Sequence, residues 1–160
     1  MRQCAIAAMM LAILTGVGQA DWVTATVTVQ SQPIAVAVNP VTNKTYVANY
    51  ADNSVAVIDG ATNTPVRVGV GGNPRAVAVN PVTNKIYIAN WADNSVTVID
   101  GFKNSTATVS ARIHPRAVAV NPVTNKIYVA NSGSSNVTVI VPDSSKTDTV
   151  NAVAIPLPWR

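Results

Sequence analysis

The 160-residue chain contains no glutamate, and only one cysteine, one histidine and one phenylalanine. Charged residues make up 11% of it, against roughly a quarter in an average globular protein. Each scarcity excludes something. A lone histidine, His114, cannot build a His-rich metal site. The only thiol is Cys4, inside a stretch that reads as a leader, so the remaining chain has no disulfide and no cysteine metal site. No nucleophile-elbow sequence is present. A paired-carboxylate hydrolase needs two non-equivalent acids converging on one bond. Here four of the seven acids (Asp52, Asp59, Asp93 and Asp100) are copies of one another along the chain. No catalytic residue, metal or cofactor is therefore expected.

The charges that remain are scattered, with no basic run. This is not a nucleic-acid footprint, although the pI near 9.5 leaves weak non-specific binding open. Surface polarity has to come from Asn, Thr and Ser. With 28 Val and no Glu, strands are favoured over helices, because β-branched side chains fit a pleated, half-buried surface.

Residues 1–20 read as a signal peptide. Arg2 supplies a positive start, Cys4 to Leu14 an apolar run, and Gly18-Gln19-Ala20 small residues for cleavage before Asp21. The apolar run is shorter than the roughly 20 residues of a spanning helix, so export without a transmembrane segment is expected. The destination is periplasm, medium or cell surface.

Residues 21–160 are organised by Asn-Pro-Val-Thr-Asn-Lys, which occurs at Asn39–Lys44, Asn80–Lys85 and Asn121–Lys126, a spacing of 41 residues. Each copy follows Ala-Val-Ala-Val and precedes Tyr-Val/Ile-Ala-Asn. A fixed period of this size marks a propeller, solenoid or array. Pro suits the second position of a turn and Asn tolerates left-handed φ, so the motif is a hairpin turn between two apolar strands. Pro33, Pro74 and Pro115 open three repeats, 33–73, 74–114 and 115–155.

In the second repeat the sequence predicts strand A at Ala76–Val79, B at Lys85–Asn90, C at Ser95–Asp100 and D near Thr106–Ala111. Strand A is apolar on both faces, whereas D alternates, as in Val66-Arg67-Val68-Gly69-Val70. Four antiparallel strands, buried at A and wet at D, describe an all-β fold of β-propeller blades, with a β-solenoid as the less fitting alternative. The segment Trp22–Gln32 aligns with strand D and is a spare strand without its own blade. Three blades plus that strand form an open arc, because rings need four or more. The apolar faces at its ends then call for a second copy or a blade-completing partner.

Tyr46-Val47-Ala48-Asn49, Tyr87-Ile88-Ala89-Asn90 and Tyr128-Val129-Ala130-Asn131, each after Asn-Pro-Val-Thr-Asn-Lys, resemble the YVTN-repeat β-propeller family. Asp-Asn-Ser-Val-x-Val-Ile-Asp-Gly at 52–60 and 93–101 matches the same repeat. The resemblance runs from Val23 to Pro156 and implies a secreted, periplasmic or surface-layer propeller, in rings of about seven blades. This chain would be a short or truncated member. The third repeat departs from the pattern, with Ser132-Gly133-Ser134-Ser135 and Val141-Pro142 in place of the Asp-bearing segments.

Alternating strand direction gathers the D–A and B–C loops on one face. That face carries Tyr50, Asp52, Arg75, Trp91, Asp93, His114 and Arg116, the candidate binding residues for a protein or glycan partner. His114 precedes a proline and is expected to be extended. Each of these residues also has a plain structural reading: the Asp residues as loop caps, the Arg residues stacked over neighbouring loops. The repeat tyrosines are expected as packing inside the blades, and Lys44, Lys85 and Lys126 as solvated turn charges. The function expected is a non-catalytic binding scaffold. The alternative is a fragment of a lactonase-like or dehydrogenase-like propeller enzyme, for which fold alone is no support.

Overall fold

The computed structural model describes residues 23–142 and 147–151, with side chains through residue 142; residues 1–20, expected as a leader, and the chain end lie outside them. Among the described residues there is no helix, and so none long and apolar enough to cross a membrane. Strands β1 (Pro33–Asn39), β2 (Lys44–Asn49), β3 (Ser54–Asp59) and β4 (Pro65–Gly69) form one antiparallel sheet in chain order. β5 (Pro74–Asn80), β6 (Lys85–Asn90), β7 (Ser95–Asp100) and β8 (Thr106–Ser110) form a second. β9 (Pro115–Val120), β10 (Ile127–Asn131), β11 (Asn136–Ile140) and β12 (Thr147–Asn151) form a third. Of the spare strand D expected at Trp22–Gln32, the described part, from residue 23, has no strand C beside it and joins no sheet. Its described tie to the first sheet is Asn49 Nδ2 donating to Gln30 Oε1 at 3.0 Å.

Every described connection between strands contains one residue with positive φ. Asn43, Asn84 and Asn125 close the A–B turns, and Asn53, Asn94 and Ser135 the B–C loops. Asn63 and Asn104 close the described C–D turns, Asn73 and His114 the D–A loops, and Gln32 takes the equivalent place before β1. The short polar side chain of Asn bonds locally and lowers the cost of that backbone region. His114 departs from the extended conformation expected before proline, with φ 55°. Its backbone N–H donates to Asn94 Oδ1 at 2.8 Å, as the Asn73 N–H does to Asn53 Oδ1. That bond from the B–C loop to the D–A loop outweighs the local preference.

The sheets pack face to face, with the A strands side by side: β5 lies against both β1 and β9. Because side chains alternate across a strand, each B strand splits its residues between two neighbours. Tyr46 with Val55, Val57 and Val68 meets Ile86, Ile88 and Ile99 of the next sheet. Tyr87 and Val96, on the other side of that sheet, meet Ile127, Val129 and Ile140. Tyr46 and Tyr87 are buried as expected, but Tyr128, at the same place in the third sheet, is 39% exposed because no described sheet covers it. The three sheets form an open arc, in the arrangement of β-propeller blades.

The Asn-Pro turns do more than reverse the chain. Asn39 Oδ1 accepts from the Val41 N–H, and Asn80 Oδ1 from those of Val82 and Thr83, bracing each proline turn. Asn39 Nδ2 donates to Asn84 Oδ1 at 2.9 Å, and Asn80 Nδ2 to Asn125 Oδ1 at 2.9 Å. The first Asn of one motif is thus bonded to the last Asn of the next. The repeat motif is an inter-blade fastener.

Candidate functional site

Strand A of each blade begins with a β-bulge. In the second blade the register runs Pro74 to Asn90 and then Ala76 to Ala89, leaving Arg75 unpaired; Ile34 and Arg116 hold the same place in the other two. A bulge re-aims the side chain of the extra residue. Arg75 is turned into the loop face, where its guanidinium carbon lies 5.0 Å from the ring centre of Tyr50 and 5.1 Å from that of Trp91. Trp91 in turn stacks on His114, with ring centres 4.3 Å apart and planes 15° from parallel. Tyr50, Arg75, Trp91 and His114 therefore form one stacked row from the first blade across the second, ending on the loop that leads into the third.

Backbone bonds fix the ends of the row. Tyr50 N–H donates to the Gln32 carbonyl at 2.9 Å, Trp91 N–H to that of Asn73 at 3.1 Å, and Ser132 N–H to that of His114 at 3.0 Å. Gly71 is required nearby, since a Cβ there would lie 2.6 Å from Asn90 Nδ2. Asn90 and Asn131 are buried at the ends of their B strands and buttress strand C, donating to the Thr97 and Thr138 hydroxyls.

The acidic candidates are committed to the fold. Asp52 accepts from Arg67 Nε at 2.7 Å, and the Arg67 guanidinium, with Ser54, holds its carboxyl below the usual range. Asp93 accepts from the Gly72 N–H at 2.7 Å. On the opposite face, Asp59 caps the turn at Ala61 and Thr62, whose N–H groups lower its pKa. Asp100 is pulled down to about 2 by Lys85, with help from the Phe102 and Lys103 N–H groups. These displacements run away from the near-neutral pKa that suits a general acid or base. Among the described residues no three His, Cys, Asp or Glu side chains come together.

The positive charges of the loop face are otherwise placed. Arg75 Nε is buried without a hydrogen-bond partner, its guanidinium held only by the two rings. Arg116 borders an open hollow of about 540 Å³, beside Ser132, which stands where the other blades have Tyr50 and Trp91. The lysines differ from the expectation of simply solvated charges. Lys85 Nζ pairs with Asp100 Oδ2 at 2.6 Å, and Lys44 Nζ donates to the Gly101 carbonyl of the next blade at 3.1 Å. The sequence pattern placed the lysines at turn exits and missed that Lys44 and Lys85 each reach a partner. The bulge, which aims Arg75, carried no sequence signal beyond the proline before it.

No protein-family model matches the chain, and no curated protein matches it either. Solved structures do. A chain of hydrazine synthase from Kuenenia stuttgartiensis superposes with a TM-score of 0.73 at 22% identity, covering 84% of this chain and 40% of that one. A streptogramin B lyase gives 0.67 at 10% identity over 76% of this chain and 41% of that one. A chain from a nidogen–laminin complex gives 0.63 at 15% identity over 73% and 47%. The chain spans less than half the length of each of them. At these identities the likeness is one of fold. The described residues are four-stranded blades of a β-propeller.

Proposed function

We propose that this chain is a non-catalytic, exported propeller of the YVTN-repeat type that binds an acidic glycan or an acidic protein surface through its D–A and B–C loops. The observation that carries the reading is the stacked row of Tyr50, Arg75, Trp91 and His114. Aromatic rings and arginine are the usual anchors of recognition surfaces. Asp52 is offset by Arg67, and the cations Arg75 and Arg116 outnumber the remaining Asp93, so they set the sign of the partner. Export rests on the leader-like residues 1–20. The enzyme alternative draws on two structural neighbours, a synthase and a lyase, at identities that carry fold alone.

Titration calorimetry with polygalacturonate as the acidic probe and dextran as the neutral one tests the reading. Binding of the acidic probe alone is expected. Trp91→Ala and Arg75→Ala are each expected to weaken it by about 2 kcal/mol, roughly 30-fold, with an unchanged circular dichroism spectrum. Normal binding by both variants, with loss in Lys85→Ala or Lys126→Ala, would move the site to the opposite face.

A further inference from the structure

The two open faces of the arc are opposite halves of one repeating interface. Each blade has a forward side, built on the Tyr-x-Ala of strand B, and a backward side, built on the valines of strand A and the residues flanking that tyrosine. Forward side meets backward side twice within the chain: Tyr46 packs in a cluster with Ile86, Ile88, Val77 and Val79, and Tyr87 in one with Ile127, Val129, Val118 and Val120. Among the described residues nothing covers the third forward side, with Tyr128 39% exposed where Tyr46 and Tyr87 are 0% and 2%. Nor does any described residue cover the first backward side, with Val36 65% and Val38 56% exposed where Val77 and Val79 pack into the core.

We propose that a second copy of this chain covers these faces, blade one of each copy docking head to tail on blade three of the other, so that six blades close a ring. The forward side of blade three then meets the kind of surface that its two equivalents already meet. The polar fasteners continue across the junction. Asn39 reaches Asn84 and Asn80 reaches Asn125, so Asn121 finds Asn43 of the second copy. Lys44 reaches the Gly101 carbonyl, so Lys126 finds that of Gly60 of the second copy. Val141-Pro142 replaces the Asp-Gly pair in blade three, so Lys126 has no carboxylate at the place where Lys85 has Asp100.

The hollow on blade three also suits a side chain of blade one. The one on blade three lies between Arg116, Ala117, Ala130 and Ser132, enlarged by serine where its equivalents are tyrosine and tryptophan. The bulged residue that leans over that loop from the following blade is Arg75 in blade two but Ile34 in blade one. An apolar side chain, 47% exposed in one copy, thus enters a hollow that has no aromatic ring to hold a guanidinium. Six blades lie within the four to eight of typical propellers, and head-to-tail contacts that close are the usual route to a finite ring.

Sedimentation equilibrium on the full chain, with Val36→Asp and Tyr128→Lys, tests this. The unaltered protein is expected at twice the mass of one chain. Each variant alone places an unpaired charge in a junction and is expected to weaken association at least about 100-fold, with an unchanged circular dichroism spectrum. Ala130→Lys serves on the same face should Tyr128→Lys fail to fold. Mixed in equal amounts, the two variants are expected to regain the double mass. One junction is then unaltered, and in the other the introduced carboxylate and ammonium face each other. A monomeric unaltered protein at high concentration, single variants that stay dimeric, or a mixture that stays monomeric would each overturn the proposal.

Discussion

Among the described residues eleven take positive φ, none of them a glycine and eight of them asparagine. The left-handed region costs most L-residues about 1–2 kcal/mol, and Asn visits it more easily than others. Ser135 is the outlier of its class, standing where Asn53 and Asn94 stand in the other blades. Ser135→Asn is therefore expected to stabilise the protein by about 0.5 kcal/mol, read as a higher denaturation midpoint in urea at an unchanged slope. A lower midpoint would mean that the B–C loop of blade three, with its Ser134 Oγ to Asn136 Oδ1 bond, depends on the serine itself. Much of this scale was legible in the sequence, since Asn at the turn exits follows from side-chain chemistry. Arg75 was legible as a loop-face residue but its clamp was not, because the bulge that aims it arises from the pairing of two strands and not from local preference.

At the scale of one strand, Tyr46, Tyr87 and Tyr128 share the same local sequence, yet their burial runs from complete to partial. The difference lies in what the next sheet supplies. Tyr87→Ala is expected to cost about 3–5 kcal/mol, the range for deleting a large buried side chain. Tyr128→Ala is expected to cost less than about 1 kcal/mol at a dilution where chains stand alone. Urea unfolding of both variants checks the contrast, and similar losses would show that Tyr128 is covered after all. Strands B and C of the second repeat coincide residue for residue with the sequence expectation, at Lys85–Asn90 and Ser95–Asp100. Hydrophobic alternation and turn residues bound them sharply. Strand A is longer than expected, reaching from Pro74 to Asn80, because the apolar run does not reveal the bulge or the terminal asparagine that ties neighbouring turns.

For the whole molecule, stability follows from how many faces of each blade are covered. Repeat architectures add intrinsic terms and nearest-neighbour interface terms, so a middle unit with two interfaces outlasts units with one. Strand β6 is buried at five successive positions from Ile86 to Asn90, whereas β10 alternates buried and exposed and β2 leaves Thr45 and Val47 half-open. Local opening is easiest where few apolar contacts must be broken. Amide hydrogen exchange in dilute solution is therefore expected to be slowest in β6 and β7, with β2 and β10 faster by about 10-fold or more. Raising the concentration should leave β6 unchanged while slowing β10 and the strand bearing Val36, since those faces are the ones a second copy covers. Equal protection of all three blades in dilute solution would mean that the arc unfolds as one unit, with interface terms too large for its ends to open separately. Slowing that spread evenly over every strand would place the association surface somewhere other than the open blade faces.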